Sequence, residues 1–391
     1  MKVVLISQDF YPLKGGIAKY LLEVYKKYFS DIEFEVIIPN YIGPRSKLNK
    51  LPFRVYQTEF FPFDLGLRRK RANNHIIKIL DKCKPDVILF GYLRSHPEVA
   101  EMYKKKIKSV KWGILMHGKE AIIDSYIRNK NNFRGSQKGY TEKEANFYKN
   151  LINDADFVFA VSNFTKNLLL KQGIKREIIV VYPPLSTNYI KPIKDAKEKL
   201  SLGNKKIILS VGRLIKRKGQ DRVIKVMPSL ITEFPDLKYL IVGDGKEKER
   251  LNGLIQKNSL SKNVEILDKV EDKELPLFYS ACDLFILPCK FIRPNDIEGF
   301  GIVFIEAGLY GKPVIGGNTG GVNEAIVDSK TGFLIDPNSE KQIMDKIKLL
   351  LKDASLRKLL GLNGEIRAKN LFNNKKSDYL INIISKDTSL G

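Results

Sequence analysis

The chain has 391 residues, of which 68 are Lys or Arg and 44 Asp or Glu, giving a formal net charge of +24. That length exceeds what one ordinary core fills, so two domains are expected. Three irregularly spaced cysteines, Cys83, Cys282 and Cys289, fit neither a disulfide framework nor a zinc pattern, and no apolar run reaches the roughly 20 residues of a membrane-spanning helix.

The chain starts with VVLIS after Met1-Lys2, too short for a signal-peptide core and the right length for a buried strand. A reducing cytoplasm is the expected setting. Gly15-Gly16 follows as a turn, and IAKYLLEVYKKYF has the three- and four-residue apolar spacing of an amphipathic helix. FEVIIP at 34–39 and PDVILFG at 85–91 read as strands, the second preceded by a helix through IIKILDKC. A helix around 98–106 leads to the strand KWGILMHG at 111–118. Residues 129–141 read as a polar loop. A helix at 142–153, the strand DFVFAVS, a helix closed by Gly173 and the strand EIIVVYPP complete the first half.

A Pro- and Lys-rich stretch then interrupts the pattern, and it restarts. KIILSVGRL, LKYLIVGDG, NVEILDKV, DLFILP, KPVIGGN and GFLIDP read as strands with helices between them, and the C-terminal residues read as helical. Continuous apolar strands joined through helices indicate parallel doubly wound sheets, two in tandem. The expected division is a domain over 1–188, a linker over 189–204, a second domain over 205–370 and a final helix over 371–391. In such sheets ligands lie beyond the strand C-terminal ends.

The positive charge is heaviest in the first half, with clusters at Arg68-Arg69-Lys70-Arg71 and Lys104-Lys105-Lys106. Nucleic-acid binding, attachment to an anionic membrane and a plain solvated surface all produce such an excess. No zinc pattern, aromatic RNA-binding signature or helix-turn-helix accompanies it. The expectation is therefore no nucleic acid, with an anionic membrane surface left open.

EGFGIVFIE, Glu298 to Glu306, carries the densest chemistry. On one continuous helix the two carboxylates would lie about 12 Å apart and about 80° out of phase. A retaining glycosidase pair sits at about 5 Å. The glycines instead predict a loop over Glu298-Gly299-Phe300-Gly301 and a helix from Ile302, whose N-terminal amides attract phosphate. A nucleotide sugar, with hydroxyls at both ends and phosphates between, suits that layout. An ordinary loop and amphipathic helix is the alternative.

Other turns carry comparable signals. Gly15-Gly16 opens a helix after a strand, as an anion cradle or simply a turn. Arg213 ends a strand and Lys218 follows five residues on, as a diphosphate clamp or a basic loop; Lys216 and Arg217 read as solvated charges. His117 ends a strand and is followed by Gly118. Gly320-Gly321 is a further candidate amide cradle. Asp154-Ala155-Asp156 matches a metal-binding DxD, but it lies at a strand's N-terminal side and reads as capping, so no metal is expected.

Taken together, the GG turn, the HG after a later strand, GRLxxxKG, EGFGxxxxE and GGxxE resemble the retaining glycosyltransferases of family 4, with the GT-B arrangement of two Rossmann-like α/β domains facing a cleft. DLFILP and EGFGIVFIEAGLYGKPVIGGNTGGVNEAIVDSKTGFLIDP resemble the family throughout, and HGKE and FIRPNDIEGFG are similar to the phosphatidylinositol mannosyltransferase subgroup. The resemblance implies that Arg213 and Lys218 bind the donor diphosphate and that Glu306 holds the ribose. It places Glu298, with the amides of Gly299, Phe300 and Gly301, at the donor sugar. Gly15 and Gly16 would approach the phosphate, His117 the reacting carbon, and Val270 the base. Asp268 stands where the family commonly has glycine, which leaves GDP and UDP both open. The implied activity moves a hexose of mannose or glucose type from a nucleotide sugar, without metal or cofactor, to a lipid-linked or glycan acceptor. The setting would be the cytoplasm or the inner face of the membrane. An epimerase or phosphorylase on the same architecture, a non-catalytic nucleotide-sugar binder and a nucleic-acid binder are the competing classes.

Overall fold

A computed structural model describes residues 1–13, 15–59, 66–123, 141–185, 192–292 and 296–373. Its contacts separate residues 1–184 from residues 185–373 as two compact units. Residues 374–391 of the expected final helix and residues 129–140 of the expected polar loop lie outside the described residues.

The first unit is built on seven strands: β1 (Lys2–Ile6), β2 (Glu33–Pro39), β3 (Arg54–Thr58), β4 (Val87–Phe90), β5 (Lys111–Met116), β6 (Phe157–Ala160) and β7 (Ile178–Val180). They form one sheet in the order β3-β2-β1-β4-β5-β6-β7, with every pairing parallel. Val4 and Ile6 pack into one apolar layer and Val3 and Leu5 into the other. A strand's two-residue period sends alternate side chains to opposite faces, and both faces are covered by helices. Hence VVLIS needs no polar alternation.

The second unit repeats the plan with β8 (Lys206–Val211), β9 (Leu237–Val242), β10 (Val264–Leu267), β11 (Leu284–Leu287), β12 (Val314–Gly317) and β13 (Gly332–Ile335). Their order is β10-β9-β8-β11-β12-β13, again all parallel. These are the two Rossmann-like doubly wound sheets expected from the sequence.

Two elements differ from the expectation. The polar sequence RVYQT of β3 lacks the apolar run of its neighbours because β3 is an edge strand, only its last residue being buried. The helix ahead of β4 begins at Gly66 rather than near Ile76, so it carries the basic cluster in its first turns.

Both sheets reverse their winding between neighbouring strands, β1 and β4 in the first unit and β8 and β11 in the second. The loops after these strands carry most of the candidate site residues, as ligand sites at switch points require.

Candidate functional site

In the second unit, β8 runs into Gly212 and Arg213, and a 3-10 turn spans Lys216–Lys218. Gly219 follows in the left-handed region (φ 73°), and a Cβ there would lie 2.2 Å from the Pro288 carbonyl. Glycine is therefore demanded by packing against the end of β11. The turn folds Lys218 back so that its Nζ lies 3.8 Å from where a Gly212 Cβ would sit. The lysine head thus rests beside the strand end from which Arg213 projects. Arg213 is exposed, and no described residue bonds its guanidinium.

The loop after β11 brings Glu298 to this turn. Gly301, at φ 92°, caps a helix over Ile302–Leu309 without any side-chain cap. The loop and helix boundaries are those the glycines predicted. Three groups converge on one oxygen of Glu298. Lys218 Nζ donates to Oε2 at 2.6 Å, Arg217 Nη1 donates to the same atom, and the Cys289 thiol lies 3.6 Å from it. No described residue bonds Oε1. Burial alone would raise this carboxyl's pKa, but the charges of Arg217 and Lys218 hold it well below the usual carboxylate range. The Cys289 thiol is pushed up to about 12 by burial, so it remains a neutral donor.

Arg217 does not behave as the solvated charge expected of it. It is 5% exposed, and its Nε donates to Asp296 at 3.0 Å while Nη1 reaches Glu298. The planar guanidinium fork spans two carboxylates that lie 79 and 81 residues away in sequence. Lys216 is the exposed member of the trio. Nothing local distinguishes Arg217 from Lys216. The one available signal was Asp296, a second carboxylate two residues before Glu298.

Glu306 lies on the helix over Ile302–Leu309 and is 1% exposed, with Tyr279 donating its hydroxyl to Oε2 at 2.8 Å. No local pattern marks Tyr279, which comes from the preceding helix Leu275–Ala281. Gly320-Gly321 is not an open amide cradle. The Gly321 N–H donates to the Glu298 carbonyl at 2.9 Å, and a Cβ on Gly321 would lie 2.0 Å from the Gly299 carbonyl. These glycines are small so that their backbone can support the Glu298 loop. Gly299 and Phe300 are buried within it. Val270 lies three residues past β10, at the same sheet edge, and Asp268 is paired with Lys248 Nζ at 2.5 Å.

The first unit holds the remaining candidates. Gly15 caps the helix Gly16–Val24 with extended backbone (φ −179°) and no side-chain cap. A Cβ on Gly15 would meet only Asp9 Oδ1 at 3.9 Å, and one on Gly16 meets nothing described within 4 Å. Neither position demands glycine for the fold. His117 follows β5, and its Nε2 lies 2.9 Å from the Gly91 carbonyl at the end of β4. A carbonyl only accepts, so Nε2 carries the proton and Nδ1 presents a lone pair. Burial drives the imidazole pKa down to about 4, against the opposing carbonyl bond, so the ring is neutral near pH 7. Tyr20 packs edge-on against it at 4.9 Å.

Asp156 of the DxD sequence is engaged structurally, accepting from Lys104 Nζ and from the Trp112 amide at 3.0 Å. Among the described residues, no three His, Cys, Asp or Glu side chains gather as metal ligands do.

Two family models match this chain, one described as Glycosyltransferase Family 4 over residues 14–189 and one as Glycosyl transferases group 1 over residues 192–367. The chain belongs to the family 4 glycosyltransferases. Over 370 residues it is 25% identical to the GDP-mannose-dependent alpha-(1-6)-phosphatidylinositol monomannoside mannosyltransferase of Mycolicibacterium smegmatis, covering 93% of this chain and 92% of that protein. It is 32% identical over 43% of its length to the capsular polysaccharide biosynthesis glycosyltransferase CapM of Staphylococcus aureus, matching 43% of that protein. Its fold matches HepE of Anabaena, solved in complex with UDP, with a TM-score of 0.80 at 20% identity over the full length of both chains. It also matches sucrose-phosphate synthase of Thermosynechococcus elongatus, with a TM-score of 0.80 at 20% identity and full coverage of both.

Proposed function

We propose that this family 4 glycosyltransferase transfers a hexose of mannose or glucose type from a GDP- or UDP-linked donor, with retention of configuration and without a metal ion. The observation that carries the reading is the bond between Lys218 and Glu298 beside the N-terminus of the helix over Ile302–Leu309, with the exposed Arg213 at the adjoining end of β8. A diphosphate needs cations and favours a helix N-terminus, and a sugar needs an acceptor for its hydroxyls. This one edge of the sheet offers all three.

Arg213 and Lys218 take the diphosphate in this reading and stabilise the charge that develops on the leaving nucleotide. Glu298 Oε1, which no described residue bonds, accepts from the sugar. Glu306 serves the ribose, with Tyr279 fixing one of its oxygens. Val270 lies toward the base. Gly15 and Gly16 are glycines where the fold itself requires none, which supports close approach of a phosphate there. The neutral His117 offers Nδ1 as an acceptor to the sugar or its attacker. A donor phosphate oxygen takes the acceptor's proton on the same face, so no side chain serves as nucleophile.

The acceptor is a lipid-linked or glycan hydroxyl, in keeping with the phosphatidylinositol mannoside named for the mycobacterial relative. A place at the inner face of a membrane is supported by the first turns of the helix Gly66–Cys83, where Leu67 is 75% exposed beside exposed Arg68, Lys70 and Arg71. No described helix is long and apolar enough to cross a membrane.

A thermal-shift screen across nucleotide sugars tests the reading, because a ligand that binds only the folded state raises the unfolding temperature. A GDP- or UDP-hexose is expected to raise it, and transfer with retention should follow with a glycolipid or glycan acceptor. Absence of any shift across the panel, or an inverted product, would remove the corresponding part of the proposal.

A further inference from the structure

We propose that Arg217 is a positioning residue that acts as the permanent counter-ion of Glu298, so that Lys218 is free to exchange its carboxylate partner for the donor's diphosphate. The inference rests on the reading of Lys218 and Glu298 as donor-site residues.

The geometry that carries it is an asymmetry between the two cations. Arg217 and Lys218 both bond Glu298 Oε2. Arg217 is also tied to Asp296 and is almost closed to solvent, so its fork bridges two protein carboxylates. Among the described residues Lys218 has no second carboxylate, and its Nζ rests beside Gly212, next to the exposed Arg213. A point-charge ammonium on a flexible stem changes partners readily, whereas a bidentate guanidinium does not. When Lys218 turns to a diphosphate, Glu298 keeps Arg217 and the Cys289 thiol on Oε2, and Oε1 stays available. Without Arg217, departure of Lys218 would leave a largely buried carboxylate with no cation, which is costly. The lysine would then stay on Glu298. Glu298 is thus faced by Arg217 and Lys218 from the turn after β8 and by Cys289 from the end of β11, with Asp296 acting through Arg217.

The test is calorimetric titration of UDP and GDP into wild type, Arg217→Met, Glu298→Gln and the double variant. Arg217→Met is expected to weaken nucleoside diphosphate binding roughly tenfold, as typical couplings between neighbouring sites do. Adding Glu298→Gln removes the charge that holds Lys218 and is expected to restore binding to within about threefold of the Glu298→Gln protein. A purely structural Arg217, bridging the Asp296 and Glu298 segments, predicts no such recovery, because Glu298→Gln leaves the bridge to Asp296 missing. Unchanged binding in Arg217→Met, or a double variant as weak as the single, overturns the proposal. If Arg217→Met is too unstable to titrate, Arg217→Gln with and without Glu298→Gln carries the same comparison, since a glutamine there keeps hydrogen-bonding capacity but no charge. Wild type binding neither nucleotide would remove the donor-site reading itself; wild type binding both without recovery removes only the role of Arg217.

Discussion

The two units use the same device, a strand followed by a glycine pair near a helix N-terminus, for opposite reasons. In the second unit, Gly321 is glycine because its backbone lies against the Gly299 carbonyl, where a Cβ would approach to 2.0 Å. In the first, Gly15 and Gly16 have ordinary backbone and room for a side chain. One pair is fixed by the protein's own packing. The other has room for a side chain at both positions, which supports the proposed approach of a ligand there. The candidate residues differ in the same sense. The second unit presents a carboxylate paired with two cations beside an exposed Arg213, and the first presents glycines and a neutral imidazole.

Four experiments break or sharpen that contrast. The largest effect is expected in the charged half. Lys218→Ala or Glu298→Ala should lower transfer by roughly a thousandfold, as removal of a preorganised electrostatic group does, while circular dichroism stays native. Full activity of both variants would sink the site assignment.

The neutral half should announce itself through pH. The His117 imidazole is held neutral in the folded protein down to about pH 4, whereas its ordinary pKa is 6.5. Between those values the unfolded chain binds the additional proton, so stability falls as pH drops through this window. The loss expected from this group between pH 7 and pH 4.5 is roughly 2–3 kcal/mol. His117→Asn should remove that part of the acid sensitivity in urea titrations at the two pH values. The depressed Glu298 carboxyl contributes stability above its ordinary pKa of 4.5, lost only at more acid pH, so it leaves this window clear.

Gly321→Ala should cost about 2 kcal/mol of stability through overpacking against the Glu298 loop, read as a lower denaturation midpoint. Gly16→Ala should do the reverse. Stability rises by up to about 1 kcal/mol, because alanine suits a helix and restricts the unfolded chain. Donor affinity falls roughly tenfold, equal to about 1.4 kcal/mol, as the methyl intrudes on the ligand's space. A Gly16→Ala protein that binds donor normally would leave the first pair as an ordinary turn.

Much of this was legible locally. The apolar runs of β1, β4, β8 and β11 identified buried parallel strands, and Gly299 and Gly301 placed the helix start at Ile302. The edge strand β3 escaped notice because a half-exposed strand shows no continuous apolar run. The basic cluster at 68–71 was visible as charge. Its split between the exposed Arg68, Lys70 and Arg71 and an Arg69 paired with Glu98 at 2.6 Å was not visible, because Glu98 is on another helix.

The sequence by itself determined the two parallel α/β units, their family and the residue types at the turns, because periodicity and glycine placement are local properties of the chain. Only the tertiary structure decided which cation of Lys216-Arg217-Lys218 is buried, that Glu298 is held through Oε2 alone, that Tyr279 closes over Glu306, and that Gly320-Gly321 supports a loop. Each depends on groups that the fold brings together from distant sequence positions. A charge can be buried only where such a partner meets it, and local sequence carries no record of that meeting.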